Sequence, residues 1–127
     1  MQILVVDPNV AFATLLSEEL SRQGYGVKAC SSGTEALAIA QQRSPDLAIL
    51  DMALTDPDAL ELARILRVAS PSLKLMLIPL IGDQLSAEAR ALSIQGILPK
   101  PFFLPELPER IAAALGIDGA PAAGVDA

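Results

Sequence analysis

The 127-residue sequence contains no histidine and no tryptophan, and its only cysteine is Cys30. Without histidine, the chain lacks the commonest general base and the commonest metal ligand of proteins. A metal ion must therefore be held by oxygen atoms, which favours Mg²⁺ or Ca²⁺ over zinc. A single cysteine cannot form a disulfide within the chain, which fits a reducing compartment. We expect Cys30 to pack as a small apolar side chain.

Basic residues are also scarce, with nine Lys and Arg against fifteen Asp and Glu, for a net charge of -6. The basic residues occur singly, whereas nucleic-acid binding requires clustered Lys and Arg, so direct binding of nucleic acid by this domain is not expected. No apolar run is long enough to span a membrane, and no basic segment precedes an apolar one at Met1. A cytoplasmic protein without a membrane partner is therefore the expectation.

The sequence does contain many apolar residues, 52% in total, arranged as short runs that alternate with segments of helical period. Five strands that alternate with five helices, with strands apolar on both faces, predict a parallel sheet covered on both sides. The predicted strands are 2–6, 25–30, 46–50, 73–80 and 96–100, and the predicted helices are 9–24, 32–43, 58–69, 87–94 and 104–116. Residues 1–116 form one predicted domain, and residues 117–127, rich in Gly, Ala and Pro, are predicted to be a flexible tail or linker.

The first and third helices have an apolar face, and three helices have a candidate N-cap. The inward residues are predicted to be Phe12, Leu15, Leu16 and Leu20 in the first helix, and Leu62, Ile65 and Leu66 in the third. The candidate caps are Asn9, Ser32 and Asp58, and Ser32 is followed three residues later by Glu35, as in a capping box.

Charged residues follow three of the predicted strands. Asp7 follows the first strand, Asp51 the third and Lys100 the fifth. In parallel α/β sheets, ligands bind outside the carboxyl ends of the strands. If the first, third and fifth strands lie near one another, the two carboxylates and the ammonium converge on one rim, which is then the candidate functional site.

Three segments in one register resemble the receiver domains of bacterial two-component response regulators: "ILVVDPN", "PDLAILDMALTDPDALEL" and "GILPKPF". The resemblance covers residues 2 to 115. It implies a flavodoxin-like α/β fold with five parallel strands in the order 2-1-3-4-5. It also implies a signalling phosphoprotein that acts in a phosphorelay, and not an enzyme.

The resemblance also implies a role for each matching residue. Asp51 matches the aspartate that takes a phosphoryl group from a sensor histidine kinase. Asp7, Asp51 and the backbone carbonyl of Ala53 match the ligands of Mg²⁺, Lys100 matches the lysine that pairs with the phosphoryl oxygens, and Pro101 matches a cis proline. These residue types suit the chemistry, because a cation must offset the repulsion between a carboxylate and an anionic phosphoryl group.

The sequence departs from the family pattern at four positions. Pro8 replaces the second acid of the metal-binding pair, and Asn9 or Asp56 could replace that ligand only through water. Pro79 replaces the Ser or Thr whose hydroxyl binds the phosphoryl group, and proline has no hydrogen to donate. Ile97 replaces the aromatic residue that reorients on activation, and Ala59 replaces the glycine that follows Asp58. Together these departures predict an atypical receiver.

One alternative is a receiver-like module that works without phosphorylation, through protein contacts or as a homodimer. Its interaction surface is expected on the face formed by the fourth helix, the fifth strand and the fifth helix. The residues to probe on this face are Leu92, Ile94 and Phe103.

A remote alternative is a phosphatase of the haloacid-dehalogenase type, which carries the motif DxDxT after an apolar strand. Asp51 would be its nucleophile and Thr55 its hydroxyl. However, Ala53 occupies the place of the general acid, and the motif follows the third strand instead of the first, so this interpretation is disfavoured.

Overall fold

The computed structural model describes residues 1–81, 85–102 and 104–117. Within these ranges five strands alternate with five helices, and a short 3₁₀ segment, Leu104–Glu106, precedes the last helix. The strands are β1 (Gln2–Val6), β2 (Gly26–Cys30), β3 (Leu47–Asp51), β4 (Lys74–Ile78) and β5 (Gly96–Ile97). The helices are α1 (Val10–Arg22), α2 (Gly33–Gln42), α3 (Ala59–Ala69), α4 (Ala87–Ala91) and α5 (Leu107–Leu115). None of the helices in these ranges is both long and apolar enough to cross a membrane.

All strands are parallel, and their order is β2-β1-β3-β4-β5. This confirms the predicted flavodoxin-like arrangement. The chain runs from β1 outward to β2 and then returns to the other side of β1 with β3. This reversal leaves a crevice at the carboxyl ends of β1 and β3, where such sheets bind ligands.

Alternate strand residues supply two apolar layers, one on each face of the sheet. In β1, Ile3 and Val5 pack with α1 and α5, whereas Leu4 and Val6 pack with α2, α3 and α4. All four side chains are almost completely inaccessible to solvent. Burial on both faces explains why the strands are continuous apolar runs without polar alternation.

The three predicted N-caps are confirmed. The side-chain oxygens of Asn9, Ser32 and Asp58 accept hydrogen bonds from backbone amides three residues later, at 3.1, 3.2 and 2.9 Å. The Glu35 carboxylate in turn accepts a hydrogen bond from the Ser31 amide at 3.1 Å. These bonds satisfy amides that have no partner within their helix, and so fix where α1, α2 and α3 begin.

The prediction that Leu15 and Ile65 face the core is wrong. Leu15 is 47% exposed and Ile65 is 41% exposed. The buried stripe of each helix is narrower than the apolar pattern, because a helix on a flat sheet contacts it along one row of residues about four apart. In α3, Leu62 and Leu66 form that row, and Ile65 lies at its side.

The second half of the chain has shorter elements than the sequence predicts. Helix α4 has five residues and β5 has two, and β4 ends at Ile78, before Pro79. Strand β3, in contrast, extends one residue further than predicted, so that Asp51 pairs with Ile78 in the ladder. Asp51 is therefore held by the sheet and not by a loop.

The end of α5 marks the limit of the described chain. Gly116 adopts the left-handed conformation, with φ 75°, that commonly ends helices. The Ile117 amide donates to the Ala112 carbonyl at 3.0 Å, and its side chain packs against the core. The tail predicted for residues 117–127 lies outside the described residues from Asp118 onward, and the domain boundary stays a prediction.

Gly33, the first residue of α2, packs against the loop that follows Asp51. A Cβ atom at this position would lie 2.8 Å from Pro57 Cγ and Cδ, and 3.3 Å from the Pro57 carbonyl oxygen. We expect Gly33→Ala to displace this loop and lower the free energy of unfolding by about 1–3 kcal/mol. Gly96→Ala is the matched control, because its Cβ would meet Met76 Cε at 3.5 Å, an ordinary contact. Chemical denaturation followed by circular dichroism measures both, and equal stabilities would contradict the close packing of Gly33.

Cys30, at the end of β2, is a partly buried free thiol, as predicted. Burial raises its pKa to about 11, and the nearby Glu35 carboxylate acts in the same direction. Only the thiolate reacts with alkylating reagents. At about pH 8 we therefore expect iodoacetamide to label Cys30 roughly a hundredfold more slowly than an ordinary thiol, with the rate increasing as the pH approaches that pKa.

The same reaction in denaturant is the control for Cys30, since unfolding removes both the burial and the neighbouring carboxylate. Equal labelling rates in the folded and the unfolded protein at this pH would show that the folded structure does not protect the thiol.

Candidate functional site

Asp7 is the residue that immediately follows β1, and only 1% of it is exposed. Its backbone amide donates to the Cys30 carbonyl at 3.1 Å, which extends the pairing with β2 by one residue. Its side-chain Oδ1 accepts a hydrogen bond from the Asn9 amide at 2.8 Å. The carboxylate is thus oriented by the turn into α1, with its other oxygen directed toward the carboxyl end of the sheet.

Asp51 is the last residue of β3 and is 4% exposed. Its Oδ1 accepts a hydrogen bond from the Ala53 amide at 2.7 Å, so the turn after the strand holds this carboxylate in the same way. The two aspartates are therefore held in the same way. Each lies at the carboxyl end of a central strand, and its Oδ1 accepts a hydrogen bond from the backbone amide two residues later. This repetition leaves Oδ2 of both residues available at the rim of the sheet.

Lys100 brings the two carboxylates together. Its Nζ lies 2.9 Å from Asp7 Oδ2 and 3.0 Å from Asp51 Oδ2, and its side chain is 22% exposed. The Lys100–Pro101 peptide is cis, as the resemblance implied. The predicted convergence of Asp7, Asp51 and Lys100 on one rim is therefore what the structure shows.

Charge and burial oppose each other at this cluster. Burial raises the pKa of Asp7 above its usual value, and this outweighs the effect of the hydrogen bonds from Asn9 and Lys100. For Lys100, burial by itself would lower the pKa, but hydrogen bonds to Asp7 and Asp51 raise it overall. The ammonium thus stays charged at neutral pH, within hydrogen-bond distance of both carboxyl groups.

Comparison with known proteins identifies the family to which this site belongs. The family model of the response regulator receiver domain matches residues 3–112. The chain belongs to this family. Response regulator MprA of Mycobacterium leprae is 36% identical over 117 residues, which are 91% of this chain and 51% of that protein. Response regulator MprA of Mycobacterium bovis is 35% identical over 117 residues, 91% of this chain and 50% of that protein. The receiver domain thus spans about half the length of these relatives.

Solved structures agree with this assignment. A receiver domain from Methylobacillus flagellatus superimposes with a TM-score of 0.79 at 27% identity, covering 90% of this chain and 98% of that chain. NtrX from Brucella abortus superimposes with a TM-score of 0.84 at 28% identity, covering 91% of this chain and 26% of that chain. The family match assigns the chain to the receiver domains of two-component systems, and not to the haloacid-dehalogenase-type phosphatases.

The oxygen atoms available around Asp7, Asp51 and Lys100 limit which cation the receiver domain can hold. Asp7 Oδ2 is buried and accepts no hydrogen bond from an amide or hydroxyl in the described ranges, so its charge is compensated only by Lys100. No third acidic or cysteine side chain joins Asp7 and Asp51 in the part of the chain that the structure describes. Two carboxylates fit a Mg²⁺ ion that retains several water molecules, because this ion is commonly bound through only one or two carboxylates.

The departures from the family pattern lie around this cluster. Pro8 is exposed and brings no oxygen atom from its side chain, and Asn9 Oδ1 is already occupied by the Phe12 amide at 3.1 Å. Asp56 is exposed in the turn after β3, with φ 55°. Ile97 is 40% exposed at the end of β5. In the described ranges Asp56 thus does not join Asp7 and Asp51 as a third acidic side chain, and the side-chain oxygen of Asn9 serves as the cap of α1.

Sequence reasoning missed one neighbour of the cluster, the aromatic ring of Phe12. Its ring centroid lies 4.1 Å from Lys100 Nζ. Phe12 was expected to pack in the core, and it does contact the core, but its face also covers the ammonium. The spacing between Phe12 and Lys100 in the sequence gives no signal for this contact, which depends on how α1 lies against the segment after β5.

Replacing Lys100 tests how far the two carboxylates depend on it. We expect Lys100→Met to lower the free energy of unfolding at neutral pH by roughly 2–4 kcal/mol, because two buried carboxylates lose their counter-ion. A carboxyl group with a raised pKa binds its proton more tightly in the folded state than in the unfolded state. Lowering the pH to about 5 therefore restores part of the lost stability. Denaturant unfolding at the two pH values measures this.

Lys28→Met is the control for Lys100→Met, since Lys28 is exposed on the edge strand β2. We expect this change to alter stability by no more than about 0.5 kcal/mol. Equal losses for the two variants, or a loss at Lys100 that does not depend on pH, would contradict the ion-pair account.

Proposed function

We propose that this receiver domain accepts a phosphoryl group on Asp51 and acts as an atypical switch in two-component signalling. The observation that supports this most strongly is the contact of one ammonium, Lys100 Nζ, with Asp7 and Asp51 at 2.9 and 3.0 Å. A lysine at the carboxyl end of the sheet would otherwise extend into water. Here it lies beside the carboxylate on which new negative charge would develop.

The chemistry of the transfer follows from these contacts. A carboxylate oxygen of Asp51 attacks the phosphorus atom, the bond from phosphorus to the donor's leaving group breaks, and that group departs with the bonding electron pair. The product is an acyl phosphate on Asp51. Lys100 Nζ moves with the charge, exchanging part of its contact with Asp51 for a phosphoryl oxygen. The Ala53 amide holds Asp51 Oδ1 and so orients the nucleophile.

Mg²⁺, held by Asp7, Asp51 and the carbonyl of Ala53, would supply additional positive charge to the transferred phosphoryl group. With Pro8 in place of a second acid, such an ion would have one anionic ligand fewer than the family pattern gives. We expect the domain to need a higher Mg²⁺ concentration for phosphorylation than a receiver with the complete acidic pair.

A sensor histidine kinase is the proposed donor, in line with the two-component systems to which receiver domains belong. The receiver domain itself has a net charge of -6, and we propose no direct contact of this domain with nucleic acid.

A second candidate function, protein binding without phosphorylation, is favoured by Pro79 and Ile97. Neither residue has a side-chain hydroxyl or an aromatic ring with which to respond to a phosphoryl group. The surface proposed for this role is the face formed by α4, β5 and α5, which could also form a homodimer. Leu92 and Ile94 on this face are partly buried against the core, and Phe103 lies outside the described residues.

Intact mass spectrometry separates the two functions. The protein is incubated with Mg²⁺ and a small acyl-phosphate donor, beside the Asp51→Asn variant. We expect one added phosphoryl group on the parent protein and none on the variant, because asparagine cannot form the acyl phosphate. Omission of Mg²⁺ is expected to reduce the yield.

An exposed aspartate on the same loop, Asp58, supplies the control for this experiment. Asp58→Asn changes a helix cap on the same loop without removing the proposed acceptor, and it should still take up the phosphoryl group. Equal labelling of the Asp51→Asn variant and the parent would refute Asp51 as the acceptor. Absence of label on a folded parent would favour binding without phosphorylation.

A further inference from the structure

We propose that Phe12 is a positioning residue, whose ring face holds the Lys100 ammonium between Asp7 and Asp51. This inference rests on the proposed phosphorylation of Asp51 for its functional consequence, although the contact itself does not. Nζ lies 4.1 Å from the ring centroid, well within the about 6 Å at which an ammonium is attracted to the face of an aromatic ring. The ammonium therefore has two carboxylates and one ring as neighbours.

The ring is itself fixed by its surroundings. Phe102, two residues after Lys100, meets it in an edge-to-face contact, with ring centroids 5.6 Å apart and an interplanar angle of 86°. At the backbone, the Phe12 amide donates to Asn9 Oδ1, and the Asn9 amide donates to Asp7 Oδ1. Phe12 is thus connected by short contacts to both ends of the ion pair that it covers.

Lysine needs such a support more than most residues, because its long stem has many rotamers and its ammonium is strongly hydrated. The ring excludes water from one side of the ammonium and restricts where Nζ can lie. In this chain Pro8 and Pro79 offer neither a carboxylate nor a hydroxyl, so fewer groups remain to receive a phosphoryl group. The position of Lys100 is therefore more important for phosphoryl transfer in this chain than in a receiver with the complete family pattern.

Packing alone is the competing explanation, since Phe12 also contacts the core. Two substitutions separate the explanations. Phe12→Leu keeps an apolar side chain but removes the ring, whereas Phe12→Tyr keeps the ring. An open apolar depression of about 430 Å³ borders Phe12. A role in packing predicts that leucine is tolerated at least as well as tyrosine, and a positioning role predicts the reverse.

The experiment has two measurements on the full chain. The first is the NMR chemical shift of the Lys100 ε-methylene protons, which adjoin Nζ and are expected to move upfield when the ammonium lies over the ring face. The second is the rate of Asp51 phosphorylation by a small acyl-phosphate donor with Mg²⁺. Leu15→Ala is the control variant, because Leu15 is an exposed apolar residue of the same helix. Circular dichroism confirms that each variant is folded.

We expect Phe12→Leu to lose the upfield shift and to phosphorylate about two- to thirty-fold more slowly, the range that corresponds to an ammonium–ring contact. Phe12→Tyr and Leu15→Ala should retain the shift and most of the rate. A folded Phe12→Leu variant with the parent's rate, or a Phe12→Tyr variant as slow as Phe12→Leu, would overturn the proposal. If the parent accepts no phosphoryl group, the proposed function fails. In that case the chemical shift of the Lys100 ε-methylene protons alone tests the positioning role of Phe12. The lack of an upfield shift in the parent protein would refute that role.

Discussion

The contact of one ammonium with two buried carboxylates is the constraint on which the site depends. Asp7 follows β1 and Asp51 ends the neighbouring strand β3, and each accepts a hydrogen bond from the amide two residues further on, so that the remaining oxygen of each lies beside Lys100 Nζ. Like charges this close repel each other strongly where water is scarce. Lys100 Nζ, at 2.9 and 3.0 Å, makes the arrangement possible. Its position is set in turn by the segment after β5 and by the ring of Phe12.

The topology explains why residues so far apart in sequence meet. The chain reverses direction across the sheet between β2 and β3, which places the ends of β1 and β3 side by side. The same crevice is where parallel α/β sheets bind ligands in general. The departures at Pro8, Pro79 and Ile97 leave this central cluster intact and change the residues around it. The domain thus keeps the cluster of Asp7, Asp51 and Lys100, and lacks the second acid, the hydroxyl and the aromatic ring of the family pattern.

Sequence patterns predicted the strands, the helix caps and the residues at the strand ends because each has a local cause, whereas the strand order was implied by the family resemblance. Continuous apolar runs mark strands buried on both faces, and caps such as Asn9 act within one turn of helix. The exposed positions of Leu15 and Ile65 could not be predicted, since they depend on how each helix lies on the sheet. The same holds for the contact between Phe12 and Lys100, which joins α1 to a segment from the other end of the chain. A periodic pattern marks which residues are apolar, but it does not say which of them touch a charge.

The interaction of Asp7 with Lys100 is the most direct test of this account. The free energy of unfolding is measured for the parent, Asp7→Asn, Lys100→Met and the double variant, which together form a thermodynamic cycle. The account predicts a favourable coupling between the two residues of at least about 1 kcal/mol at neutral pH. Additive effects, within about 0.5 kcal/mol, would show that the ammonium does not hold the carboxylate and would contradict the central role given to Lys100.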